Sequence, residues 1–164
     1  MNPVDAARQL LQNYWDGSIP VNPIAIAGRM GVYVYPLAAN DGHSGLYKVE
    51  AGVPRLFVNQ CENAMRRRFT VAHELGHHVL GHLRKALDER GNGELPRDSN
   101  TTYSFANSVP EEVAANKFAA ELLMPASSVA YYVDATSLNL RELARAFNVS
   151  EAAMSNRLKN LGYF

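Results

Sequence analysis

One cysteine, Cys61, is the only thiol in this chain of 164 residues. An intrachain disulfide is therefore excluded, and the fold must rest on an apolar core, which a chain of this length can bury unaided. The lack of a disulfide framework suits a reducing compartment, so a cytoplasmic location is expected. Long hydrophobic runs are missing too: no stretch approaches the roughly 20 apolar residues that span a bilayer. The opening MNPVDAARQL lacks the basic and then apolar pattern of a leader, so neither export nor membrane association is expected. Charge surplus is the third absence. The 16 basic residues balance 16 acidic ones, which argues against a protein built mainly to hold nucleic acid. What remains, 47% hydrophobic and 20% charged residues, is the make-up of an ordinary folded domain.

Hydrophobic spacing predicts an α+β chain. Val4, Ala7, Leu10 and Leu11 recur at helical intervals, and Asn22-Pro23 reads as a cap and first residue of a short second helix. VYVYPL (32–37), GLYKVE (45–50) and PRLFVN (54–59) read as strands, the last two joined as a hairpin at Ala51-Gly52-Val53. A strong amphipathic helix is expected over 63–82, with Phe69, Ala72, Leu75, Gly76 and Val79 on its apolar stripe. Residues 83–107 read as a long loop, which in a compact domain often serves as a lid. Ser108 and Glu111 stand at capping-box spacing before a helix over 109–123 that stops near Pro125. A short helix over 126–133 and two more, at about 138–147 and 151–161, complete the chain. The expected division is a catalytic unit over 1–135 and a helical tail over 136–164, packed on it or appended to it.

The chemistry concentrates at His73-Glu74-Leu75-Gly76-His77. Residues four apart on a helix share a face, so His73 and His77 can grip one ion, and neutral imidazole is a good Zn²⁺ ligand. Glu74, beside the first ligand, is placed to act as general base on water activated at the metal. Small Gly76 permits close packing between the two ligands. A third His at 83, as in HExxHxxGxxH, is ruled out because the chain has Leu80 and Leu83. His78 and His82 point about 140° and 180° away from His73 on an extrapolated helix and read as structural or surface residues. The better third ligand is a carboxylate on the later helix. Glu112 and Asn116 share a face, so Glu112 can bind the ion while Asn116 supports a ligating imidazole. Glu111 points about 100° away. As an alternative, both acids simply complement the helix dipole.

Arg68-Phe69-Thr70-Val71-Ala72-His73-Glu74-Leu75-Gly76-His77 resembles the RFTxAHELGH segment of the ImmA/IrrE family of metallopeptidases, and Ala115-Asn116-Lys117-Phe118-Ala119-Ala120-Glu121-Leu122-Leu123-Met124-Pro125 resembles its ANxFAAELLMP segment. The tail, with Leu143-Ala144, Phe147, Val149-Ser150, Met154, Arg157-Leu158 and Leu161-Gly162, is similar too. The resemblance implies a zincin-like core with a small sheet on the HExxH helix. His73, His77 and Glu112 would bind Zn²⁺, and Glu74 would be the catalytic base. It also implies endopeptidase action on a helix-turn-helix transcriptional repressor or an antitoxin-like partner. The family often has an acid two residues before the Asn, where this chain has Ala114. No transition-state stabiliser carries over; Tyr103 and His43 are unassigned possibilities.

The tail itself reads as helix-turn-helix-like, with Ser150 as an N-cap between its helices. Arg157 and Lys159 could meet phosphates, but one Arg and one Lys are a thin basis for groove recognition, and packing or partner docking is the stronger expectation. A DNA-binding sensor, or a toxin-like interaction module that uses the metal without proteolysis, is the alternative function.

Overall fold

The computed structural model describes residues 1–37, 44–82 and 109–164. Capping residues start most of its helices. Asn2 accepts the amides of Val4 and Asp5 and opens α1 (Pro3–Tyr14), and Asn22 accepts that of Ala25 and opens α2 (Pro23–Arg29). Both helices begin with the proline that their missing amide makes harmless.

Three strands follow: β1 (Tyr33–Leu37), β2 (Gly45–Glu50) and β3 (Val53–Asn59). Their order is β1-β3-β2, with β1 parallel and β2 antiparallel to β3. The hairpin turn is two residues, Ala51 and Gly52, both at positive φ. That matches the backbone twist of the flanking strands. Val53, expected in the turn, instead pairs with Glu50 as the first residue of β3.

Asn63 accepts the amide of Arg66 and starts α3 (Ala64–Val79). This helix is shorter than the expected 63–82 because Gly81, at φ +71, turns the chain away. The remaining helices are α4 (Val109–Leu123), α5 (Ala126–Thr136), α6 (Leu140–Phe147) and α7 (Glu151–Asn160). The α5 helix runs a turn-fraction beyond the expected 133, and α6 starts later than 138. Ser137 and Leu138 both take positive φ, and Asn139 caps Glu142. Ser150 caps α7 as expected. His43, Tyr103, Ser108 and the proposed lid over 83–107 lie outside the described residues.

The chain is thus α+β, with seven helices and one small sheet among the described residues. Leu56 and Val58 of β3, Leu75 of α3 and Phe118 and Leu122 of α4 share one buried cluster with Phe147, Met154 and Leu158 of the last two helices. Arg157 ties α7 down further: it is buried, and its guanidinium pairs with Glu121 while Nε donates to the Met124 carbonyl. Glu121 also accepts from Arg8 on α1 at 3.1 Å. Arg157 is therefore a packing residue, which removes it from the possible phosphate contacts of the tail. No helix among the described residues is long and apolar enough to cross a membrane.

Candidate metal centre

The site depends on how closely α3 and α4 approach. A Cβ built on Gly76 would lie 3.0 Å from Phe118 Cδ1, and Phe118 is fully buried. Glycine at 76 therefore sets the separation at which side chains of α4 reach the histidines of α3. Glu112 and Asn116, one helical turn apart, both arrive there.

Glu112 Oε2 stands 3.0 Å from His73 Nε2, and Glu112 Oε1 stands 3.2 Å from His77 Nε2. The two Nε2 atoms are 3.0 Å apart. His73 Nδ1 lies 2.9 Å from Asn116 Oδ1. An amide oxygen only accepts, so Nδ1 carries a proton, and it is Nε2 that faces Glu112 and is available as a ligand atom. A bare imidazole nitrogen facing a carboxylate oxygen at that distance is repulsive unless a proton or a metal cation lies between them. The three residues offer ligand atoms within 4.8 Å of one another. Two imidazoles and a carboxylate are a donor set suited to a divalent transition metal, Zn²⁺ foremost. Glu111 is not part of this cluster.

His77 is almost fully buried, and its Nδ1 lies 2.7 Å from His82 Nδ1. For His77 to offer Nε2, its Nδ1–H must donate to His82. Of the two expectations for His82, structural or surface, the structural one holds: it is a buried support for His77. Helical extrapolation missed this because α3 ends at Val79. His78 is half-buried and bonds the Tyr47 hydroxyl at 2.6 Å, fastening β2 to α3. Burial pushes the Tyr47 hydroxyl up to about 12.

Glu74 lines the same cleft as His73 and Glu112, a space of about 920 Å³. Burial first, and the nearby Glu112 carboxylate second, raise its pKa to about 7. A base is most useful with a pKa near the working pH. Burial, with His73 next, lowers His77 to about 4, which keeps it neutral and able to ligate. Gly45, at the start of β2, was not singled out by sequence. A Cβ there would lie 2.4 Å from Thr70 Cγ2 and 3.1 Å from Glu74 Cγ. The bare glycine lets β2 lie directly on the stretch of α3 that carries Thr70 and Glu74.

A peptidase family model described as the IrrE N-terminal-like domain matches residues 27–159. The chain is 29% identical over 139 residues to "Uncharacterized immunity region protein 2" of Bacillus phage phi105, across 85% of this chain and 78% of that one. Among solved structures, a Mycobacterium tuberculosis transcriptional regulator shares the fold with a TM-score of 0.66 at 18% identity, covering 96% of this chain. This chain spans 46% of that regulator's length. The family match covers the paired histidines, Glu74, Glu112 and the tail alike, and the chain belongs to the ImmA/IrrE family, the IrrE N-terminal-like peptidases.

Proposed function

We propose that this chain is a zinc-dependent endopeptidase in which His73, His77 and Glu112 hold the metal and Glu74 is the general base. The observation that carries the reading is the convergence of ligand atoms from His73, His77 and Glu112 beside the cleft that His73, Glu74 and Glu112 line. When bound, Zn²⁺ supplies a Lewis acid that polarises a carbonyl and makes water more acidic.

The chain's own residues do the rest. Glu74 takes one proton from the attacking water as its oxygen bonds to the scissile carbonyl carbon. It then gives that proton to the amide nitrogen as the C–N bond breaks, leaving two peptide fragments. Asn116 and His82 hold the ligating rings in the required tautomer. Among the described residues β2 is an edge strand, and Gly45 brings it against Glu74. Its open edge suits an extended substrate segment added as a further strand.

For the substrate, we propose a helix-turn-helix repressor or antitoxin-like partner. The similarity to a phage immunity region protein supports a regulatory target. The test is metal content of wild type and Glu74→Gln, together with cleavage of candidate helix-turn-helix repressors by each. About one zinc per chain in both, with cutting by wild type alone, is the expected result. Absence of zinc from both under chelator-free conditions would refute the reading.

A further inference from the structure

The cleft that holds the metal site does not end there. Its lining continues from His73 and Glu112 across Phe69 to Ala153, Asn156 and Asn160 on α7. With Arg157, these α7 residues fall at i, i+3, i+4 and i+7, one face of the helix. Met154 and Leu158 fill the core from another side of the same helix. Asn156 and Asn160 present exposed amides, and Ala153 is half-buried.

Charge divides the cleft. Its lining carboxylates, Glu74 and Glu112, are both at the metal end. The other charged side chains of the lining are Arg66, Lys117 and Arg157, all cations. Arg157 is neutralised by Glu121. Arg66, itself exposed, stands 3.5 Å from the half-buried Glu62 in an i,i+4 pair. Lys117, exposed on α4, enters no ion pair among the described residues.

The geometry points to a substrate subsite made by Lys117 and the cleft-facing side of α7. It takes an extended peptide segment with a carboxylate side chain near Lys117 and an apolar side chain between Phe69 and Ala153. The Asn156 and Asn160 amides pair with the peptide backbone. The tail is then a substrate-reading wall. A nucleic acid fits the same face poorly: Arg157 is buried, Lys159 is not in the lining, and the cleft closes on two carboxylates. The inference rests on the peptidase reading only in taking a polypeptide as occupant.

Binding tests it without cleavage. Zinc-loaded Glu74→Gln is panned against a bead-displayed library of random decapeptides, alone and with Lys117→Glu or Asn156→Glu added. Both added changes are at exposed positions and should leave the fold intact. The expected result is severalfold enrichment of Asp or Glu at one position, lost with Asn156→Glu and turned toward Lys or Arg with Lys117→Glu. Identical selections by all three proteins, or no enrichment by any, overturn the subsite. So does salt-sensitive retention on duplex DNA that the two changes abolish while peptide selection stays the same. Selection that follows Lys117 and Asn156, with no cleavage by zinc-loaded wild type, keeps the subsite and removes the peptidase reading. Cleavage with unaltered selection does the reverse.

Discussion

Asn116 Oδ1 accepts a hydrogen bond from His73 Nδ1 at 2.9 Å, and this one contact decides which nitrogen of His73 is left to bind metal. Asn116→Ala should leave the ring free to take either tautomer and to rotate. Loss of such a supporting partner typically costs about 10–100-fold in metal affinity. Asn116→Asp keeps an acceptor oxygen and should retain most of the affinity. Zinc dissociation constants, measured by competition with a chromophoric chelator, check both. Equal affinity in wild type and Asn116→Ala would show that the contact does not orient the ligand.

Glu112 and Glu111 provide a sharper pair. Only Glu112 reaches the two histidines. If Glu112 is a ligand, as proposed, Glu112→Ala should weaken zinc binding by more than the roughly 100-fold upper figure for a supporting residue. Glu111→Ala, in the same first turn of α4, should leave zinc affinity within a small factor of wild type. The same chelator competition on both variants distinguishes a metal ligand from a dipole-complementing acid.

What could be read in advance was what depends on neighbours along the chain. Asn22-Pro23, Ser150 and the i,i+4 pairs His73/His77 and Glu112/Asn116 are local patterns, and the helices that carry them are set by local capping and periodicity. What could not be read depends on where the chain turns or on partners far away in sequence. His82 was placed half a turn from His73 by assuming that the helix continues, but Gly81 reverses the chain and swings His82 onto His77. Arg157 looked like a surface cation because Glu121, the partner that buries it, is 36 residues away. Gly45 looked like an ordinary strand residue, since only tertiary contact with Thr70 and Glu74 gives its missing side chain a purpose.

Gly76 should be intolerant of even one added methyl. The new Cβ would meet Phe118 Cδ1 at 3.0 Å, and Phe118 is fully buried, so the ring can give way only by displacing its core neighbours. Overpacking of this kind costs about 1–3 kcal/mol, while Gly→Ala inside a helix returns at most about 1 kcal/mol. Gly76→Ala should therefore be net destabilising in metal-free urea unfolding. Its zinc affinity should fall as well, because separating α3 from α4 pulls Glu112 from the histidines. A more stable Gly76→Ala protein with unchanged zinc affinity would mean that the glycine does not set the helix spacing.

The metal-free protein should also carry a pH signature of Glu74. Its pKa is raised from 4.5 to about 7, chiefly by burial and next by Glu112. Between those values the folded state holds a proton that the unfolded chain has released. The stability contributed by the protonated carboxyl is complete below pH 4.5 and is lost as pH rises through about 7. Glu74→Gln has no such proton. The stability of wild type relative to this variant should therefore fall across that window, by up to about 3 kcal/mol at 1.36 kcal/mol per pKa unit. The lowered pKa of His77 gives the opposite slope, but it is common to both proteins and largely cancels in the comparison. Urea unfolding with chelator present, from pH 4.5 to 8, measures the difference. Saturating zinc should flatten it, because a bound cation favours the carboxylate. Parallel profiles for the two chelated proteins would mean that Glu74 is not held in its protonated form.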